Sequence, residues 1–316
     1  MSNFLKATAV RDTVLSALSR MLTLAPTVWR DAGGSFRGVF GDTITIRVPA
    51  YTVADDRQLR SGTARNRRGL FESAVPVTLD HNLYRDVPLT DENQTLDIMD
   101  FARQVLSPML GGIARGIEDV LIEDAMTAAT YEYEVEVDPD SPYAACVQAR
   151  KHLNDAHLPF GNRFLAVGSS VEAALLESEQ FARVDASGTA QGFREGVIGR
   201  IAGFTTLASP AIPPDEAYAY HQTAYVLSTQ APIVPSGAPS GFTATSDGFA
   251  IRIVEVLDSA TIENIVAADV FAGASPVTDY GTIDENGVFT PAEDPDASGA
   301  NELFVRGVKL TLGTSS

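Results

Sequence analysis

The stretch from Asp97 to Ala129, DIMDFARQVLSPMLGGIARGIEDVLIEDAMTAA, carries the longest helical pattern in the chain. Its apolar side chains recur at intervals of three or four residues: Ile98, Phe101, Val105, Met109, Ile113, Ile117, Val120 and Leu121. This spacing predicts an amphipathic helix. At about 1.5 Å per residue such a helix would span roughly 50 Å, more than the width of a small domain. The stretch therefore predicts a long supporting helix on which other parts of the chain pack.

Pro108 lies inside this pattern, close to the pair Gly111-Gly112. An internal proline removes a backbone hydrogen bond, costs about 3 kcal/mol and usually kinks the helix. We therefore expect tertiary packing to hold the helix together around Pro108.

Two predicted strands with alternating apolar and polar residues precede the long helix. TITIRVPAY at 43–51 and SAVPVTL at 73–79 place apolar residues at every second position, and the second run continues weakly to Leu89. Together they predict a long hairpin whose connecting segment, 52–72, lacks periodicity. A two-stranded hairpin is only marginally stable alone in water, so we expect another part of the protein to hold it.

At the start of the chain, Asn3 to Leu24 forms a second amphipathic pattern, with Val10, Val14, Leu18 and Met21 at helical spacing. The pattern fits docking on a neighbouring molecule and docking on the chain's own core equally well.

The remaining pattern mixes helices and strands. It predicts a strand at 131–140, a helix from Ser141-Pro142 to about Ala156, a strand at 164–167, and a helix capped by Ser169 with Glu172. Strands are predicted at 197–208, 217–228, 247–257, 262–271 and 303–312, and a loop at 272–301. The fold class expected is α+β.

The charge of the 316-residue chain is strongly acidic and uneven. It has 41 Asp and Glu against 23 Lys and Arg, a net charge of −18. Residues 1–130 carry 14 basic and 16 acidic side chains, whereas 131–316 carry 9 and 25. Five arginines nevertheless fall within twelve residues that contain no acid: Arg57, Arg60, Arg65, Arg67 and Arg68. This segment could dock on carboxylates of another subunit, remain solvated, or contact DNA or a scaffold.

Composition and motifs exclude several classes of protein. The apolar fraction of 45% is that of a globular chain, and no run approaches 18 apolar residues, so no membrane span is predicted. The acidic balance argues against nucleic-acid binding by the surface as a whole. The sequence has one cysteine, four histidines, no P-loop and no nucleophile elbow. We therefore predict no catalytic, cofactor-binding or metal-binding residues.

The order of these segments resembles a known family. Val28-Trp29-Arg30-Asp31 is followed by GDTITIRVP at 41–49, the hairpin and the long helix; GVIGRIAGF at 196–204, YHQTAY at 220–225 and DGFAIR at 247–252 come later. This order resembles the major capsid (coat) proteins of tailed bacteriophages, in the branch similar to the coat protein of short-tailed Salmonella phages.

The resemblance implies the Hong Kong 97-type capsid fold, divided into five parts. These are an N-terminal arm 1–38, an extended hairpin loop 39–90, a spine helix with a peripheral-domain strand 91–140, an axial domain 141–246, and peripheral-domain return strands with the C-terminal segment 247–316. The implied function is structural rather than enzymatic. Hexamers and pentamers of the protein would form an icosahedral shell around double-stranded DNA, in the virion, after assembly in the cytoplasm of the bacterial host.

The resemblance also implies partners and contact residues. A separate scaffolding protein, a portal protein and, in some relatives, a decoration protein would join the shell, with DNA packaged without sequence-specific binding and no membrane involved. The residues hypothesised to contact neighbouring subunits are Val14, Leu18, Trp29, Arg57, Arg60, Arg65, Arg67 and Arg68. Residues 7–150 contain no lysine, so cross-linking by an isopeptide bond in the extended loop is not expected. Two other readings stay open: a bacterial nanocompartment shell around an enzyme cargo, and a soluble hydrolase.

Overall fold

The computed structural model describes residues 14, 18, 21–31, 43–48, 52, 54–57, 59–60, 64, 72–89, 102–178, 199–258, 263–292 and 299–313. The fold is α+β, as the sequence predicts. The helices are α1 (Ser107–Val120), α2 (Pro142–Asp155) and α3 (Ser169–Glu177). Residues 14, 18 and 21 are also helical and are followed by a 3-10 turn at Ala25–Thr27.

The strands are as follows: β1 (Trp29–Asp31), β2 (Thr43–Val48), β3 (Ser73–Thr78), β4 (His81–Leu89), β5 (Glu134–Val137), β6 (Arg163–Val167), β7 (Arg200–Ile201), β8 (Phe204–Ala208), β9 (Glu216–His221), β10 (Tyr225–Gln230), β11 (Ser240–Ser246), β12 (Phe249–Asp258), β13 (Glu263–Pro276), β14 (Asp279–Ile283), β15 (Phe289–Pro291), β16 (Asn301–Leu303) and β17 (Gly307–Leu312).

The long helix runs continuously from 102 to 127. Its middle is α1, and π-helical turns precede it at Ala102–Leu106 and follow it at Leu121–Thr127. Pro108 stands in the first turn of α1, directly after the wider π turns. Proline has no N–H to donate and clashes with the carbonyl four residues earlier, and the wider π pairing relieves that clash locally. The helix therefore continues through Pro108 instead of ending there.

One face of the long helix packs on a six-stranded sheet, here called the spine sheet. Its strand order is β1-β10-β13-β12-β11, with β4 paired to the other edge of β13. Ile251, Val266 and Val270 of the sheet share one buried cluster with Ile113 and Ile117 of the helix. The apolar stripe read from the sequence is therefore the contact that joins helix and sheet.

A second six-stranded sheet has the order β5-β17-β9-β6-β8-β7 and is covered by α2 and α3. Ala149 and Leu153 of α2 pack there against Leu165, Phe204 and Leu310. The strands β9 and β10 are consecutive in sequence but belong to different sheets. The chain therefore passes from the second sheet to the spine sheet at residues 222–224.

The two sheets divide the chain differently from the predicted segments, and the five-part domain division remains a prediction. The expected axial segment, 141–246, includes β10 and β11, which belong to the spine sheet. The strands β5 and β17, expected as peripheral-domain strands, belong to the second sheet, where Leu310 pairs in parallel with Val135. Long-range strand pairing decides the boundary, and the sequence pattern of a single strand does not reveal its partner.

Two local predictions are wrong. The helix α3 begins at Ser169 with Gly168 as its N-cap, and no side chain caps it, so Ser169 and Glu172 do not form the expected capping box. The segment 272–301, expected as a loop, contains the end of β13 and a three-stranded sheet of order β15-β14-β16. Short acidic strands interrupted by glycine and proline lack the alternation that sequence analysis detects.

The hairpin of β2 and β3 forms as predicted, with Thr43 paired to Thr78 and Val48 to Ser73. Its apolar face, which includes Ile44 and Val77, packs on Val226 and Val277 of the body. The end of β3 crosses directly over Gly273, where an added Cβ would lie 1.9 Å from the carbonyl oxygen of Thr78. The expected external support for the hairpin is thus this small apolar cluster and one close backbone crossing.

The crossing predicts that Gly273→Ala destabilises the protein. Because the new methyl group would overlap the Thr78 carbonyl, β3 must move, and overpacking of this kind costs about 1–3 kcal/mol. Gly112→Ala is the matched control, since nothing lies within 4 Å of an added Cβ there; in a helix it should be neutral or stabilising by up to about 1 kcal/mol. Urea unfolding followed by circular dichroism measures both, and equal effects of the two changes would contradict the role of the crossing.

Candidate assembly surfaces

The N-terminal arm packs on the long helix. Val14 and Leu18 are 3% and 0% exposed and share one cluster with Ile113 and Ile117. Of the two dockings the sequence allowed, the structure shows packing on the chain's own core for these two residues. Their side chains have no free surface to offer a neighbouring subunit, so the hypothesis of an intersubunit contact is replaced there by an intrachain one.

A buried carboxylate fixes the arm where its helix ends. Glu118 of α1 is 9% exposed, and its Oε1 accepts hydrogen bonds from the backbone N–H groups of Thr23 and Leu24, the latter at 2.7 Å. These N–H groups follow the last helical position, Met21, so they have left the helical hydrogen-bond pattern. The carboxylate accepts both hydrogen bonds, which stabilises the arm in this direction. The sequence pattern carries no sign of this role of Glu118.

Trp29 lies between the arm and the hairpin. It is half-buried, pairs with Val226 in the parallel contact of β1 with β10, and packs against the apolar cluster beneath the hairpin. The part of Trp29 that remains exposed keeps the intersubunit hypothesis open for this residue.

The arginine-rich segment is described only in part. Arg57 and Arg60 are exposed, and Leu59 between them is 95% exposed. Arg65, Arg67 and Arg68 lie outside the described residues. The structure therefore places a large apolar side chain among the cations, a feature that the charge pattern alone did not bring out.

An aromatic cluster joins the arm, the long helix and both sheets. The hydroxyl of Tyr131 donates to the carbonyl of Met126 at 2.6 Å and accepts from Tyr225 at 2.7 Å. Tyr220 donates to Thr27 of the arm at 2.6 Å. Burial raises the pKa of Tyr131, Tyr220 and Tyr225, which keeps these hydroxyls protonated as donors. The tyrosines lie on both sides of the 222–224 crossing and fix the two sheets relative to each other.

An ion pair also stabilises the crossing at 222–224. Arg306 binds both carboxylate oxygens of Asp279 at 2.6 Å and donates to Thr223 Oγ1 at 2.9 Å. His221 accepts the backbone N–H of Thr223 at Nδ1, 3.3 Å away. Burial, together with Arg306 and Arg163, lowers the pKa of His221 and favours the neutral ring that this contact requires. His221 is thus a structural histidine.

The described residues bear on metal-binding and thiol chemistry. Within them no group of three His, Cys, Asp or Glu side chains could hold a metal ion. Cys146 is 2% exposed, and burial raises the pKa of its thiol to about 11, which makes it a poor nucleophile. In the same part of the chain, no helix combines the length and apolarity needed to cross a bilayer. The features that stand out are extended elements held firmly on a body, and these suit contact between molecules.

Solved structures resemble this arrangement over nearly all of the chain. A structure described as Mycobacterium phage Che8 aligns with a TM-score of 0.58 and 15% identity, covering 92% of this chain and 90% of that one. The mature capsid of bacteriophage PhiM1 aligns with a TM-score of 0.58 and 11% identity, covering 93% and 88%. The chain has the Hong Kong 97-type capsid fold. Arm, hairpin and long helix are the fold's extended elements, as the resemblance implied.

A shell of another kind shares the architecture. A virus-like particle from Pyrococcus furiosus aligns with a TM-score of 0.53 and 9% identity, covering 98% of this chain and all of that one. No protein-family model matches the chain, and no curated protein does. At these identities the likeness establishes the fold.

The Glu118 contact predicts that Glu118→Ala loosens the arm. The variant leaves two backbone N–H groups without their acceptor, and a loss of this kind costs about 1–3 kcal/mol. Trypsin should therefore cut faster in the arm, at Arg20 or Arg30, and the urea midpoint should fall.

Asp119→Ala is the matched control, because the neighbouring carboxylate is exposed. It should change neither measurement appreciably. Indistinguishable digestion of the two variants would contradict the proposed clamp.

Proposed function

We propose that the protein is the major capsid protein of a tailed bacteriophage and assembles into an icosahedral shell around double-stranded DNA. The observation that carries the proposal is the capsid fold itself, which extends over more than nine-tenths of the chain. A structural role rather than an enzymatic one agrees with the use of the described polar residues, which bind other parts of the fold.

The mechanism proposed is association through many weak contacts. The arm, hairpin and long helix are each anchored on the body, so little additional order is needed when copies meet. An exposed ion pair contributes only about 0.2–1 kcal/mol, but contacts repeated around a closed shell act multivalently. The hairpin arginines would be one such set, facing carboxylates of a neighbouring subunit, with Trp29 adding an apolar contact at the hairpin base.

The strongly acidic body suits a container for DNA. Residues 131–316 carry 25 acidic against 9 basic side chains. A surface of this kind repels a polyanion, so DNA could fill the shell without adhering to its wall. DNA would thus be packaged without sequence-specific recognition.

The finer assignments belong to the same proposal. The segments at 196–204, 220–225 and 247–252 support the branch similar to the coat protein of short-tailed Salmonella phages. A separate scaffolding protein, a portal protein and an optional decoration protein would act with the shell, which would form in the host cytoplasm and end in the virion. Hexamers and pentamers of the chain would be its building blocks.

A nanocompartment shell around an enzyme is the second candidate. The full-length alignment with the Pyrococcus furiosus particle favours it. Two phage structures align with a higher TM-score than that particle, 0.58 against 0.53, which favours the phage shell.

The proposed function predicts megadalton particles. The chain expressed in bacteria, with and without the scaffolding protein of its phage, should elute near the void volume in size-exclusion chromatography and show closed shells by electron microscopy. A compact species near the chain mass of 33.6 kDa under both conditions would contradict it. Purified particles that contain a bacterial enzyme and no DNA would favour the nanocompartment.

The arginine hypothesis predicts that Arg65→Glu, Arg67→Glu and Arg68→Glu together block assembly but leave a folded monomer. Charge reversal turns attraction to carboxylates into repulsion, and the particle yield should fall at least tenfold. The triple Arg→Lys variant keeps the charge and should retain assembly. Normal shells from the triple Glu variant would rule out this role, and circular dichroism checks that its fold is intact.

A further inference from the structure

The three-stranded sheet of β14, β15 and β16 is strongly acidic and is fixed to the rest of the fold at two places. Residues 279–303 carry seven acidic side chains and no basic one. At the start of β14, Arg306 binds both carboxylate oxygens of Asp279. At the turn between β14 and β15, the hydroxyl of Tyr133 donates to the carbonyl of Gly287 at 3.0 Å. An ion pair thus holds one end of this small sheet, and a hydrogen bond from a tyrosine holds the other.

A histidine supports that tyrosine. Tyr133 is 5% exposed, and its ring stacks on His152 with 4.6 Å between the ring centroids and 23° between the ring planes. His152 lies in the last turn of α2. Because a stacked pair excludes water and limits the rotation of both rings, His152 fixes the direction in which the Tyr133 hydroxyl points. The helix α2 therefore reaches the turn through two side chains in series.

The environment of His152 suits an uncharged ring. Its Nδ1 is buried and has no hydrogen-bond partner among the residues that the structure describes. A neutral imidazole can leave one nitrogen without a proton, whereas an imidazolium carries an N–H on both nitrogens. Protonation would therefore give the buried Nδ1 a charged N–H that finds no acceptor, which is costly in a dry interior. The ring avoids this cost by turning toward water, away from Tyr133.

The charged groups near His152 do not reverse this preference. Burial and the neighbouring Lys151 lower the pKa of His152, and Asp155 on the same helix raises it by less. Tyr133, which faces the ring from the strand side, is uncharged because burial and nearby carboxylates raise its pKa to about 12. Those carboxylates are Asp155, Glu132 and Asp284. The strands β9 and β17 and the helix α3 contribute apolar side chains to the cluster that they share with α2.

The turn at 284–288 has internal hydrogen bonds and can move as one piece. Oδ1 of Asp284 accepts the backbone N–H groups of Asn286 at 2.9 Å and Val288 at 2.8 Å. The N–H of Gly287 donates to the carbonyl of Asp284 at 3.0 Å. These bonds do not involve Tyr133, so loss of the Tyr133 contact frees the turn from the body without unfolding it.

We propose that His152 is a pH-sensitive support for the acidic three-stranded sheet. The uncharged ring holds Tyr133 against the turn, and protonation of the ring releases the turn while Arg306 and Asp279 hold the other end of the sheet. Because the folded chain favours the neutral ring, the docked turn is complete above about pH 6.5, the ordinary value for histidine, and is lost as the pH falls below it. The inference goes beyond the proposed shell function and does not depend on it.

Fluorescence anisotropy of the full chain tests the release. The variant Glu285→Cys places a thiol on the exposed part of the turn, and the native Cys146, 2% exposed, is not labelled. A dye whose emission does not depend on pH is attached to this thiol with a maleimide. The anisotropy should fall reversibly from near pH 8 to about pH 5, where carboxylates with ordinary pKa values remain ionised.

Three further changes in the labelled protein identify the group responsible. His152→Phe keeps a stacked ring that cannot be protonated, so the anisotropy should stay high at both pH values. His152→Gln cannot be protonated either but loses the stack, so the anisotropy should be low at both. Tyr133→Phe removes the hydroxyl that binds Gly287 and should lower the anisotropy already near pH 8.

The matched control is His157→Asn, because His157 is exposed and its left-handed backbone, φ 58°, is one that asparagine tolerates. It should retain the response of the parent protein. The proposal is overturned by an anisotropy that does not change with pH, by a fall in His152→Phe or His152→Gln equal to that of the parent, or by a Tyr133→Phe turn as rigid as the parent's. Circular dichroism near pH 8 checks the fold of each variant. Particle formation is not needed for these measurements, so failure of this proposal and failure of the shell function are distinguishable.

Discussion

The structure depends on one buried contact, the apolar stripe of the long helix, which packs against the arm and the spine sheet at the same time. Ile113 and Ile117 share a cluster with Leu18 of the arm and with Ile251 of the sheet. The burial of such side chains contributes about 1.5–3 kcal/mol each. Polar contacts then fix directions that hydrophobic packing leaves free. Glu118 does so for the arm, because a carboxylate accepts hydrogen bonds only from donors in the right place.

The two sheets are held together by a different kind of contact, centred on the short crossing at 222–224. Buried tyrosine hydroxyls and the bidentate pair of Arg306 with Asp279 surround it. Groups of this kind are costly to leave unpaired in a dry interior, so alternative orientations of the sheets are disfavoured.

The hairpin differs from these contacts, since its strands β2 and β3 pack on the body whereas Arg57, Leu59 and Arg60 between them are exposed. A small apolar cluster and the crossing over Gly273 orient it, and the exposed tip carries Leu59 among cations. The hairpin is stabilised by packing on the body, whereas these three side chains face solvent.

Elements with a strong local signal could be predicted from the sequence alone. The long helix and the two strands of the hairpin follow from apolar spacing, and the helix Pro142–Asp155 follows from the Ser-Pro signal at its start. The arginine-rich segment could also be identified from the sequence, because charged residues can be counted without knowing their contacts. Three features became visible only in the folded chain: β5 and β17 share a sheet, Val14 and Leu18 are buried in their own chain, and Glu118 binds the arm. Those outcomes depend on pairing between residues as much as 175 positions apart, as for Val135 and Leu310, and a strand or a carboxylate carries no local signal of a partner so distant.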